Sequence, residues 1–195
     1  MGAGPVTDSV MIPTDEYRLT STLDLKEDRK AALTVQAGFA VTVAVMVALV
    51  PLLDLPMGSA WPGVLVAGVT VVACLAYMVA HELTHGLLLW WLTGARPSFA
   101  VRLPYLVTGS QELLTRRVAV TVSLAPLVLW SLVLLSVLPV VPPELFLTWY
   151  VVLALNLAAS AGDVLQAWLL SHLPRAVRIR DDGRQTTVWV RDPVA

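Results

Sequence analysis

The sequence predicts an all-α integral membrane protein with four transmembrane helices, and three observations support this fold class. The chain of 195 residues is 57% hydrophobic and only 14% charged, whereas soluble domains are about 45–50% apolar and about 25% charged. Four apolar runs reach the length of about 20 residues that a helix needs to cross a membrane. All lysines and arginines lie outside these runs, in segments that four crossings bring to one side.

The four predicted spans follow the apolar runs in chain order. Span one covers about residues 31–53, and span two covers about 62–92 after a short turn with proline and glycine. Span three covers about 118–140 and is followed by further prolines, which cannot continue a helix. Span four covers about 145–173 and ends at Pro174. Spans two and four therefore run through the membrane in the same direction.

The positions of the basic residues predict the orientation of these spans. Lysine and arginine precede span one, lie between spans two and three, and follow span four, while the two other loops contain none. By the positive-inside rule both termini are cytoplasmic, and the protein is a multi-pass protein of the cell membrane. The lipid bilayer would then surround the four helices. The formal net charge of −1 gives no electrostatic basis for binding nucleic acid.

Two stretches outside the spans alternate between apolar and polar residues. The loop over residues 94–117 is predicted to form short strands, and the tail to form a small β-hairpin around Asp182-Gly183. We therefore divide the chain into a polar cytoplasmic N-terminal segment (1–30), a four-helix transmembrane domain (31–173) and a cytoplasmic hairpin-like tail (174–195).

The most informative motif lies in span two, where residues 81–85 read His-Glu-Leu-Thr-His. Histidines four residues apart lie above one another on one helix face, so His81 and His85 can share a metal ion. Glu82 between them is placed to act as a base on water at that metal. Ionisable residues inside a membrane segment are costly and are usually functional. The motif therefore predicts a zinc site with Glu82 as its catalytic residue.

A third protein ligand is expected because catalytic zinc usually takes three and leaves one position for water. Asp163 in span four is the best candidate by depth. It lies 18 residues after Leu145, and His81 lies 19 residues after Pro62, so both are roughly 27–28 Å along their helices at about 1.5 Å per residue. The alternative is that Asp163 pairs with the histidines without metal.

Two other side chains of spans two and four are close to this predicted site. Asn156 lies seven residues before Asp163 and shares its helix face. It is expected either to hold a substrate backbone or to support the site, and an interhelical hydrogen bond would explain it equally well. Tyr77, one turn before His81, is interpreted as a packing residue.

With these residues the chain resembles the site-2 protease superfamily of intramembrane zinc proteases, and more closely the small prokaryotic membrane proteins grouped as zincin peptidases. The resemblance covers about residues 60–192 and depends mainly on His81-Glu-Leu-Thr-His85 and Ser160-Ala-Gly-Asp163. It implies a three-helix catalytic core of spans two to four. It also implies zinc ligation by His81, His85 and Asp163, with Glu82 as the base. The Gly-Asp order departs from the Asn-Pro-Asp-Gly setting of many site-2 proteases.

The sequence thus favours a zinc-dependent intramembrane metalloprotease. It would hydrolyse a peptide bond of a membrane protein or peptide substrate near the cytoplasmic face. The alternative is a non-proteolytic membrane protein whose zinc is structural or regulatory. A transporter has little support, because four spans without an internal repeat do not match the usual architecture.

Overall fold

The structure, a computed structural model, describes residues 17–23, 28–94, 96–102, 105–183 and 185–191. Within these residues, four helical segments are long and apolar enough to cross a membrane. The prediction of four long apolar helices with additional short strands is therefore confirmed. The helices are α1 (Arg29–Leu52), α2 (Gly63–Thr93), α3 (Arg116–Val137, continued by a 3-10 turn), α4 (Pro143–Ala159) and α5 (Ala161–Ser171).

Local polar residues define several helix ends. Asp28 begins α1 by accepting a hydrogen bond of 2.8 Å from the backbone N–H of Lys30, which satisfies one of the free donors of the first turn. Thr115 does the same for α3, accepting from the backbone N–H of Val118 at 3.3 Å. Gly94 ends α2 in the left-handed conformation at φ 71°, which glycine adopts without strain.

The fourth span differs from the single continuous helix that the sequence predicts. It consists of α4 and α5, which meet at the fully buried Ser160. The hydroxyl of Ser160 donates to the carbonyl of Asn156 at 2.7 Å, and such local bonds compete with regular helical hydrogen bonding. Asp163 lies in the first turn of α5.

The helices form a bundle with a packed interior and an apolar exterior. In the interior, the Tyr150 hydroxyl donates to the carbonyl of Met46 at 2.6 Å and joins α4 to α1. On the exterior, apolar side chains such as Val64 and Leu132 are 88% and 66% exposed. Exposed aliphatic surface on long apolar helices is compatible with a multi-pass membrane protein.

The strands form two antiparallel sheets at the ends of the helices. The strands are β1 (Tyr17–Leu23), β2 (Ser98–Arg102), β3 (Tyr105–Gly109), β4 (Leu114–Thr115), β5 (Arg178–Asp181) and β6 (Thr186–Arg191). A four-stranded sheet has the order β1-β6-β5-β4, and β2 pairs with β3. The predicted tail hairpin is the β5–β6 pair, and its turn contains Gly183 at φ 78°. The sequence did not predict β1, which pairs with β6.

An apolar cluster fastens the four-stranded sheet to the helix ends. Ile179 and Val188 of the sheet are buried with Leu89 of α2 and Leu170 of α5. Arg116 at the start of α3 adds a polar link, because it donates to the carbonyls of Ser171 and Leu173 at 2.9 and 2.6 Å. These carbonyls, at and just beyond the C-terminal end of α5, carry partial negative charge. These contacts hold the ends of α2, α3 and α5 close to one another.

Candidate metal centre

Three potential metal ligands converge between α2 and α5. His81 and His85 project from one face of α2, and Asp163 reaches them from α5. One ligand atom from each of the three residues lies within 4.8 Å of the others. His81 Nε2 is 3.2 Å from Asp163 Oδ2, and His85 Nε2 is 3.6 Å from Asp163 Oδ1. The structure thus brings together the two histidines of the motif and the aspartate that was selected by depth.

His85 is oriented by a carbonyl that a proline leaves free. Its Nδ1 lies 2.9 Å from the backbone oxygen of Val122 in α3. In a regular helix that oxygen would accept from the N–H four residues later, but position 126 is a proline inside α3 and has no N–H. Since a carbonyl can only accept, Nδ1 of His85 carries a proton, and in the neutral imidazole the lone pair on Nε2 then faces Asp163.

His81 is oriented by a chain of side chains that crosses the bundle. Its Nδ1 is 2.9 Å from the Tyr77 hydroxyl, which donates to Asn156 Oδ1 at 2.7 Å. Asn156 in turn donates through Nδ2 to Ser131 Oγ at 2.8 Å. Because the Tyr77 hydroxyl has one proton and gives it to Asn156, its oxygen accepts from His81 Nδ1–H. In neutral His81 the lone pair of Nε2 therefore also faces Asp163.

This arrangement fits a bound metal ion. Two nitrogen lone pairs directed at a carboxylate repel it unless positive charge lies between them. A metal ion supplies that charge, and so would a second proton on each imidazole. Hydrogen bonds from the distal ring nitrogens to fixed acceptors are the usual support of metal-binding histidines. Nitrogen and carboxylate ligands suit zinc in catalytic sites, and they also suit ferrous iron.

Glu82 is held beside this group by the 94–117 loop. Thr108 of β3 donates through its hydroxyl to Glu82 Oε2 at 3.0 Å, and the same hydroxyl lies 3.1 Å from the Glu82 backbone oxygen. The loop also approaches α2 closely at Gly86, where a Cβ atom would overlap the ring of Phe99. A glycine next to His85 therefore lets the loop lie directly over the motif.

A cavity of about 600 Å³ opens beside these residues. Glu82, His85 and Asp163 border it, as do Thr108 and Gln166. Thr108 shows that the 94–117 loop contributes to the lining of this cavity. The C-terminal hairpin also borders the cavity, which the sequence did not predict.

Two of the sequence-based interpretations change in detail. Asn156 is completely buried and does not border the cavity, so its contact with the site passes through Tyr77. Tyr77, interpreted from sequence as packing, lies between Asn156 and His81. Its position four residues before His81 was the available signal, since that spacing places both on one face. Nothing in the sequence at Val122 itself indicated a role in the site. The proline four residues later did, because it leaves the Val122 carbonyl without its helical hydrogen-bond donor.

Comparison with known proteins identifies the family. A family model described as putative zincin peptidase matches residues 74–178, just over half of the chain. The chain belongs to this family. The match includes His81, Glu82, His85 and Asp163, and no curated protein or solved structure was found to match the chain. Zincin peptidases are zinc metallopeptidases, so zinc is the metal that the family implies for this centre.

Proposed function

We propose that this zincin family member is an intramembrane metalloprotease that hydrolyses a peptide bond of a membrane-embedded substrate near the cytoplasmic face. The convergence of His81, His85 and Asp163 beside Glu82 at an open cavity, inside a bundle of apolar helices, is the observation that carries this proposal. We assign zinc ligation to the first three residues and the base to Glu82. We also propose that α2, α3 and the fourth span form a catalytic core like that of the site-2 proteases.

Zinc held by these three ligands supplies Lewis acidity, which makes a water molecule more acidic and polarises a substrate carbonyl. Glu82 accepts the proton of the attacking water as the new carbon–oxygen bond forms. It then delivers that proton to the amine nitrogen as the carbon–nitrogen bond breaks. The hydrogen bond from Thr108 holds the carboxylate in one orientation during both transfers.

A non-proteolytic zinc protein is the second candidate. A structural zinc site is normally closed, with four protein ligands. The described residues bring three ligands together and leave Glu82 and a cavity beside them. That combination favours a site at which a substrate can react.

The test uses the full-length protein purified in detergent. We expect about one zinc per chain by mass spectrometry of the metal, and cleavage of synthetic single-span peptides detected by peptide mass spectrometry. A chelator should abolish cleavage, and added zinc should restore it. Zinc without cleavage of any peptide would support the non-proteolytic candidate. A folded protein without zinc would exclude both.

Tyr77→Phe tests the hydrogen-bond chain behind His81. The substitution removes the acceptor of His81 Nδ1–H but keeps the ring, so we expect zinc affinity to fall about 10–100-fold, as for other outer-shell partners. Competition with a fluorescent zinc chelator measures this. Tyr150→Phe is the matched control, because its buried hydroxyl bonds to a carbonyl of α1. Equal zinc affinity in both variants would show that Tyr77 has no such role.

A further inference from the structure

A polar side chain of α1 borders the same cavity. Ala32, Val35 and Gln36 line it, and their spacing places them on one helix face. The helix is fixed against α5, since a Cβ atom at Gly38 would be 3.4 Å from that of Ala161. These residues lie outside the segment 74–178 that the family model matches, so the family does not account for Gln36.

The amide of Gln36 has no hydrogen-bond partner among the residues that the structure describes. The residue is exposed where it borders the cavity. An amide on an apolar helix is costly unless water or another polar group satisfies it. Its one acceptor and two donors are therefore available to whatever occupies the cavity.

Gln166 of α5 offers a complementary atom to the same cavity. Its Nε2 donates to Asp181 Oδ2 at 2.6 Å and to Thr186 Oγ1 at 3.2 Å. Because the Asp181 carboxylate accepts, the end of the Gln166 amide that faces it carries the nitrogen. Both N–H groups of that nitrogen donate to these two partners. Among the described residues the carbonyl oxygen of Gln166 has no hydrogen-bond partner, and Gln166 lies three residues after Asp163.

We propose that Gln36 and Gln166 bind the backbone of an extended substrate segment in the cavity. The inference rests on the proposed peptidase function. A peptide group that leaves water for this cavity needs partners for its N–H and its C=O. Gln166 accepts from a backbone N–H, and Gln36 donates to a backbone carbonyl. Such contacts recognise the main chain and not a particular side chain, so α1 supplies a binding residue that positions substrates of varied sequence.

The test is Gln36→Met, which keeps the length of the side chain and removes its hydrogen bonds. Leu33→Met is the matched control, because Leu33 is on the same helix and 54% exposed on its outer surface. The probe is a fluorescent single-span peptide of alternating leucine and alanine with lysines at both ends. Its binding is measured by anisotropy on zinc-loaded protein that carries Glu82→Gln, and its cleavage is measured on protein with native Glu82.

We expect Gln36→Met to raise the Kd and the KM about three- to tenfold, the usual effect of one lost hydrogen bond. Zinc content and kcat should not change. An unchanged Kd, an equal effect of Leu33→Met, or no binding of the probe would overturn the inference. Weaker binding by Gln36→Met without cleavage by the native protein would instead refute the peptidase function and leave this binding role intact.

Discussion

Glu82→Gln is expected to reduce peptide cleavage by about 10²–10⁴-fold, the range for loss of a general acid–base. Glutamine has nearly the same shape and can still accept the hydrogen bond from Thr108, so the loop should stay in place. It cannot take a proton from water. Initial cleavage rates of a single-span peptide, at equal zinc content, measure the effect.

The matched control is Glu144→Gln in the first turn of α4, away from the cavity lining. It should cleave the peptide at the native rate. Cleavage by Glu82→Gln at a rate near that of Glu144→Gln would show that Glu82 is not the base.

Asp163→Asn is expected to have the second large effect, on zinc itself. The substitution removes the negative charge of one of three ligands, so zinc affinity should fall by more than about 100-fold, beyond the range for outer-shell partners. Metal analysis after dialysis should find about one zinc per native chain and almost none in the variant. Asp54→Asn, in the turn after α1, is the control and should keep its zinc.

The alternative reading of Asp163 makes a different prediction. If Asp163 only pairs with protonated histidines, native protein has no zinc, and Asp163→Asn only lowers thermal stability. If the native protein contains zinc and the Asp163→Asn variant keeps it, Asp163 is not a zinc ligand.

The sequence predicted the helices well because crossing a membrane requires long apolar runs. Four spans follow from composition and length, and the observed bounds differ from the predicted ones by only a few residues. The pairing of Asp163 with the motif was predictable for a related reason. Two spans that run in the same direction can be compared by depth alone, without knowledge of how each helix is rotated.

The remaining features depend on how each helix is rotated about its axis and on contacts between distant parts of the chain. The link from His81 through Tyr77 to Asn156 requires specific faces of α2 and α4 to meet, and span lengths contain no such information. The strand β1 is specified by its pairing with β6, about 170 residues later along the chain. The break at Ser160 accompanies a hydroxyl bond to the Asn156 carbonyl, but Ser123 makes the same type of bond inside the continuous α3, so a serine in an apolar run does not predict a break.

The pairing of the first strand with the last determines when the molecule is completed during synthesis. Leu23 of β1 lies opposite Thr186 of β6, and both border the cavity. The ribosome makes β1 first, but its partner emerges only after all the apolar helices have been translated. This wall of the cavity is therefore finished only after the motif-bearing helix has been made. A chain truncated before Thr186 would still contain all four apolar segments but would lack the strand that closes this side.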